Sequence, residues 1–245
     1  MYILAFYSFY GPEYNMKSKN AVLDFKGVAL LIILCASWGF NQVAIKVAIS
    51  SVPPVLQAGI RSIGATILVL IWMKLRHIPV LAKDNTLWWG IVIGLLFSVE
   101  FILIYWGLDF TNASRAVIFL NTSPFIVALG AQRFIPGEKL KRIQVLGLCL
   151  AFIGIIVAFN ESLNLPTKQM LIGDIMLILA AVFWGATIVV IKASPLALIA
   201  SSKTLLYQLG VSALVLPFFS VAYGEPGIVT ISPLVMGSLF YQIVW

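Results

Sequence analysis

Charge, histidine and long polar connections are what this sequence lacks. Only 10% of its 245 residues are charged and 61% are apolar. A water-soluble domain carries about 25% charged residues, so an ordinary soluble globule is excluded: the apolar excess has to face lipid. The single histidine, His77, excludes a His-rich metal site and an intramembrane histidine relay. Two cysteines, Cys35 and Cys149, both lie within apolar runs and build neither a disulfide framework nor a metal-ligand spacing. No cofactor, metal site or catalytic group is expected. The net charge is +7, from 16 Lys and Arg against 9 Asp and Glu. No basic stripe interleaved with aromatics accompanies it, so nucleic acid is not an expected partner.

What is present is a series of long apolar runs. A crossing of the hydrocarbon core, about 30 Å thick, takes about 20 apolar residues. Seven runs suffice, near 27–46, 55–73, 86–108, 113–134, 143–159, 172–191 and 204–223. An eighth starts at Pro233 and stops at Trp245, and at 1.5 Å per residue it reaches only about 20 Å. The connections between runs are short, which leaves no room for a soluble catalytic module. The lipid bilayer is therefore the expected environment.

Basic residues set the orientation. With the N-terminus cytoplasmic, the inner side holds Lys17, Lys19, Lys26, Lys74, Arg76, Lys83, Arg133, Lys139, Lys141, Arg142, Lys192 and Lys203, while Lys46, Arg115 and Lys168 fall outside. That asymmetry holds at every inner gap and predicts N-in topology. Residues 1–15 lack a basic n-region and a small-residue cleavage site, so they do not read as a signal peptide. Met16, followed by Lys17 and Lys19, is the expected cytoplasmic start, and residues 1–26 form an N-terminal cytoplasmic segment.

Sliding the chain against itself by 146 positions aligns Gly27 with Gly173, Trp38 with Trp184, Gly39 with Gly185, Lys46 with Lys192 and Gly64 with Gly210. A W-G-x6-K element recurring at one offset is not a by-product of leucine-rich composition. Five crossings separate the copies, so the second unit enters from the opposite side: an inverted-topology repeat, as in many secondary transporters. Trp38 and Trp184 lie about 11 residues, roughly 17 Å, from one helix end. This is too deep for an interfacial belt and suits a cavity or a helix contact. Lys46 and Lys192 end their runs, where they either snorkel or line a path.

These features resemble the EamA-type family of the drug/metabolite transporter superfamily. The matching elements are ASWGFNQVAIKVA and its echo VFWGATIVVIKAS, the arginine of AGIRSIGA, and GLDFTNASRAVIFLNTSPFIVALGA leading into PGEKLKRIQVLGLCLAFIGIIVAF. The resemblance runs from about residue 27 to the end. It implies an all-α integral membrane protein: a multi-helix bundle of two inverted five-helix repeats, ten helices in all, in the cell inner membrane. Residues 27–172 form the first EamA-like repeat and residues 173–245 a truncated second one, with seven complete helices and part of an eighth. The expectation is that half of the second repeat is absent and that the chain alone does not transport.

An ionisable side chain at membrane depth is a functional candidate by default. Arg61 and Glu100 are embedded, about 9 and 12 Å below the outer ends of antiparallel helices two and three, where an ion pair is geometrically allowed. Asn41 on the first helix and Asn121 with Thr122 on the fourth, just before Pro124, lie at a similar depth. The expected substrate pathway is lined by Trp38, Asn41, Arg61, Glu100, Asn121, Trp184, Tyr207 and Gln208, with Glu100 as the candidate for proton coupling. The competing reading is a buried Arg–Glu pair that fixes packing while asparagines bond across helices. Asp109 and Arg115 are expected to pair at the outer surface. Asp174 is expected to sit at a helix start for dipole reasons alone. Gly90 and Gly94, and Gly147, Ala151 and Gly154, fit close helix crossings, and Pro217 predicts a kink.

The reading is a secondary transporter, an exporter of small metabolites such as amino acids or related compounds, working by alternating access on a small-molecule substrate. A rival, an intramembrane enzyme acting on lipid-linked substrates, needs clustered acids or ligands such as H-x-x-x-D, and the sequence has none. A non-transporting receptor or scaffold is the third reading. Interfaces rich in small residues serve contacts within and between chains alike, so a homodimer stays open.

Overall fold

The computed structural model describes residues 25–80, 84–160 and 165–244; the expectations placed on residues 1–24, including the start at Met16, lie outside the described residues. Every regular element among the described residues is helical. In lipid, each backbone polar group must be satisfied within the segment, which apolar runs of this length achieve only as helices.

The helices are α1 (Phe25–Ile49), α2 (Pro54–Leu75), α3 (Leu87–Phe110), α4 (Ala113–Leu120), α5 (Ser123–Phe134), α6 (Arg142–Ala158), α7 (Lys168–Ala193), α8 (Ser201–Tyr223) and α9 (Pro233–Val244). Six spans are long and apolar enough to cross a membrane, with α4 and α5 together forming the fourth; α6 and α9 are shorter apolar helices. Local chemistry sets the boundaries. Pro54 opens α2, where a missing N–H costs nothing. Asn112 caps α4 by accepting from Arg115 N at 2.9 Å. Gly224, at φ +77°, closes α8 in the left-handed conformation. Two oxygens of Glu225 then accept from the free amides of Val55 and Leu56 at 3.0 and 2.9 Å, so a residue after α8 caps α2.

Helix α3 packs against α7 and α8, α2 lies along α8, and α9 packs against α1 and α2. Small residues let these helices approach. A Cβ on Gly173 would come within 2.8 Å of the Gly107 carbonyl, and one on Gly59 within 2.9 Å of the Pro217 ring. Gly90 and Gly94 face Tyr207 and Val211 just as tightly, the close α3–α8 crossing expected of them. Gly147 and Gly154 on α6 meet nothing within 4 Å, and no residue of α6 is buried. Helix α6 therefore sits at the rim, and its glycines make no close crossing. The core is a cluster of Ile45, Val55, Phe101, Tyr105, Leu108, Leu120, Leu177 and Leu216 between the two ends of the bundle. These are called below the Lys192 end and the Lys46 end.

Candidate functional site

The fourth span breaks at mid-depth, and the break shapes a cavity. Pro124 cannot donate a backbone hydrogen bond, so α4 stops at Leu120 and α5 restarts at Ser123. Two side chains at the break satisfy carbonyls of the last turn of α4: Asn121 Nδ2 donates to Val117 O and Thr122 Oγ1 to Phe119 O, both at 2.7 Å. Beside the break lies a cavity of about 760 Å³ between α1, α5 and α7. Trp38, Asn121, Pro124 and Trp184 line it at depth with Cys35 alongside, and Gln132, Lys139 and Lys192 line it toward the Lys192 end.

The indoles of Trp38 and Trp184 meet with centroids 5.5 Å apart and planes tilted by 37°. Both pack on the apolar core, where Leu108, Leu120, Leu177 and Ala180 are fully buried. The cavity thus ends on an aromatic pair backed by apolar side chains. At the Lys46 end the helices are tied together by polar contacts. Arg115 and Asp174 form an ion pair with side chains 4% and 6% exposed. Arg115 Nε donates to Asp174 Oδ1 at 3.0 Å and Nη2 donates to Oδ2, while Thr111 Oγ1 reaches Oδ1 at 3.3 Å. This corrects the expectation of a surface pair with Asp109: the carboxylate that Arg115 meets is 59 positions away, brought in where α7 crosses α3 and α4. Nor does Asp174 sit at a helix start: α7 begins at Lys168 and has no acidic residue in its first turn, so the ion pair with Arg115, and not the helix dipole, accounts for it. Lys46 Nζ donates to the carbonyls of Leu108 and Asp109 at the end of α3, where a cation is favoured.

Arg61 and Glu100 belong to a second polar cluster, buried among α1, α2, α3 and α9. Its hub is Gln242. Gln57 Nε2 and Tyr105 Oη donate to Gln242 Oε1 at 3.0 and 2.8 Å, Gln242 Nε2 donates to Ser238 Oγ at 3.0 Å, and Ser238 Oγ donates to Ala44 O at 2.5 Å. Arg61 Nε donates to Gln242 O at 3.0 Å, and its guanidinium lies 4.5 Å over the Phe101 ring. Arg61 and Glu100 lie close enough for their charges to interact, but they form no ion pair: the ion pairs among the described residues are Arg115–Asp174 and Lys203–Asp84. The guanidinium has been claimed by the α9 carbonyl and the aromatic face. Several buried polar atoms here have no hydrogen-bond partner among the described residues: Asn41 Oδ1, Gln42 Oε1, Gln57 Oε1, Arg61 Nη1, Ser62 Oγ and Glu100 Oε2. Buried groups left so cost free energy in a static protein and are uncommon.

The eight residues expected to line one pathway are therefore distributed. Trp38, Asn121 and Trp184 share the cavity, whereas Asn41, Arg61 and Glu100 are in or near the buried cluster. Tyr207 stands apart near the Lys192 end, with its hydroxyl 3.1 Å from Thr86 Oγ1. Gln208, half-buried on α8, accepts from Ser212 through its backbone carbonyl. Thr86 also donates to Asp84 Oδ1 at 2.6 Å, and Lys203 Nζ pairs with Asp84 Oδ2 at 2.6 Å. These hydrogen bonds, that of Lys203 first, hold the Asp84 carboxyl down at about 2. The hub residues Gln57, Tyr105, Ser238 and Gln242 were not singled out from sequence, although a glutamine inside an apolar run carries the same signal as an asparagine.

Residues 25–160 match the EamA-like transporter family. The chain is 33% identical over 158 residues to a probable amino-acid metabolite efflux pump of Salmonella typhimurium, covering 64% of this chain and 49% of that protein. It is 32% identical over 170 residues to a protein of the same description in Escherichia coli, covering 69% and 51%. An uncharacterized transporter of Bacillus subtilis, YoaV, is 27% identical over 157 residues, covering 63% and 53%. The chain thus spans about half the length of the curated relatives it matches. A protein crystal structure shares the fold at a TM-score of 0.61 and 17% identity, covering 84% of this chain and 76% of that one.

Proposed function

Since the chain belongs to the EamA-like transporter family, we propose that it acts as a secondary transporter that exports amino acids or related small metabolites by alternating access. The observation that carries this reading is the cavity of about 760 Å³, which runs from the Lys192 end to Trp38, Asn121 and Trp184 and stops there on the apolar core. A site reached from one end of a bundle and sealed from the other is one of the two states that alternating access requires. The N-terminus is cytoplasmic in this reading, so the cavity opens to the inside of the inner membrane.

Two inverted units, 27–172 and 173–245, supply the moving parts. The offset of 146 equates α1 with α7, α2 with α8 and α3 with α9. The packing is reciprocal in support: α3 contacts α7 and α8, while its counterpart α9 contacts α1 and α2. The repeat tryptophans meet between the units.

Trp38, Asn121 and Trp184 hold the substrate in the cavity, whereas Tyr207 and Gln208, expected on the same path, do not line it. Asn41, Arg61 and Glu100, with unmatched buried donors and acceptors, take up polar groups or protons during the cycle, Glu100 being the proton-coupling group. The test uses Cys35, which is exposed and lines the cavity, with Cys149 on α6 as an internal reference. Labelled amino acids added to the purified protein protect Cys35, and not Cys149, from a maleimide. Protection of neither cysteine across a panel of amino acids and their acetylated or methylated derivatives refutes the reading of this cavity as the substrate site.

A further inference from the structure

A second cavity, of about 480 Å³, lies at the Lys46 end, on the far side of the apolar core. It is walled by the α1–α2 turn, the C-terminal turn of α3, the start of α7 and the segment after α8. Three helices end on it, α1 at Ile49, α3 at Phe110 and α8 at Tyr223, and α2 begins on it at Pro54 with its first amides capped by Glu225; carbonyl ends therefore outnumber amide ends there, although Lys46 takes the carbonyls of Leu108 and Asp109. Two carboxylates, Asp109 and Glu225, line it, and no basic residue does so among the described residues. The two acids differ in what they are free to do. Glu225 is occupied in capping the first amides of α2 and in accepting from Ser220 Oγ at 2.7 Å. Asp109 is exposed at the rim and forms no ion pair among the described residues; the neighbouring Lys46 ammonium donates to the carbonyls of Leu108 and Asp109 and lies near enough for its charge to attract the Asp109 carboxylate.

Part of the same wall is aromatic. Trp106 and Tyr223 both line the cavity, with ring centroids 4.8 Å apart, and Phe219 backs them at 5.7 and 6.2 Å. Trp106 is thereby held in place from behind, and Tyr223 is 66% exposed. Aromatic faces beside a carboxylate attract an ammonium through both the ring quadrupole and the counter-charge, and their apolar area takes the carbon skeleton attached to it.

We propose that this vestibule is a binding site for small organic cations: an ammonium group bearing an aryl or alkyl substituent, with its charge between Asp109 and the Trp106–Tyr223 pair and its substituent toward Pro53 and Val229. The site is separate from the cavity at Trp38 and Trp184 and is read by binding, so it stands or falls independently of transport.

The probe is phenethylammonium, with 2-phenylethanol as its neutral counterpart, each titrated by calorimetry into the purified protein. The cation binds at least about tenfold more tightly than the alcohol. Asp109→Asn and Tyr223→Leu, both at exposed positions where the fold is retained, each weaken it about tenfold. It leaves maleimide labelling of Cys35 unchanged, which locates it outside the other cavity. Equal binding of the alcohol, indifference to both substitutions, protection of Cys35, or no binding up to ~10 mM overturns the proposal.

Discussion

The indole of Trp38 on α1 lies against that of Trp184 on α7, centroids 5.5 Å apart, and the two close the inner end of the larger cavity. The two align when the chain is offset by 146 residues, and their contact joins α1 to α7 at the wall of the cavity. Trp184→Ala removes one face of that wall. The ligand concentration that half-protects Cys35 should rise about tenfold, whereas Trp184→Phe, which keeps an aromatic face, should stay within about threefold. An equal effect of both substitutions would mean that the pair only fills space.

The Lys192 end carries a pH signature of its own. Hydrogen bonds from Lys203 and Thr86 hold Asp84 at about 2, below the value of about 4 expected in an unfolded chain. A carboxylate with a depressed folded pKa contributes stability that is present above its unfolded value and is lost as pH falls through its folded one. Between pH ~4 and ~2 the melting temperature in detergent should therefore fall, and the slope should be shallower for Asp84→Asn. Parallel slopes for the two proteins would show that the Lys203–Asp84 contact does not persist in solution.

Which parts of this arrangement are legible in the sequence follows from the range of the interactions. Helical spans and the break before Pro124 are local: length, apolarity and the N-T-S-P stretch determine them, and the Asn121 and Thr122 side chains add hydrogen bonds to the carbonyls of Val117 and Phe119 in the last turn of α4. The partner of Arg115 is not local. Asp109 is nearest in sequence, but the crossing permitted by Gly107 and Gly173 brings Asp174 to it. The hub at Gln242 is hidden for the same reason. Its partners Gln57 and Tyr105 lie 185 and 137 positions from it, so nothing local marks Gln242 among the other amides, although in lipid a buried glutamine must be partnered as surely as a charge. Tyr207 and Gln208 do not line the cavity, since a polar residue inside an apolar run does not say which helix face it occupies.

The buried Arg115–Asp174 pair yields a stability prediction. Removing one member leaves the other uncompensated, a loss of about 3–5 kcal/mol, while replacing both with apolar residues of similar volume is far milder. Asp174→Ala should accordingly lower the thermal midpoint much more than the double replacement Arg115→Met with Asp174→Leu. If the double variant is as unstable as the single one, the pair is not the source of the loss.

Glu100 separates a structural from a functional account of the buried cluster. Its Oε2 has no hydrogen-bond partner among the described residues and Arg61 is engaged elsewhere, so the near-isosteric Glu100→Gln removes no ion pair. Its stability should change by less than about 1 kcal/mol, whereas Arg61→Ala, which loses the Gln242 carbonyl and the Phe101 face, should cost about 1–3 kcal/mol. Calorimetry of ligand binding in buffers of different ionisation enthalpy counts the protons exchanged. The native protein should exchange a fraction of a proton that varies with pH, and Glu100→Gln should exchange none. A variant that folds, binds and exchanges protons as the native protein does would remove Glu100 from the coupling step, leaving its carboxyl as a packing element beside Arg61.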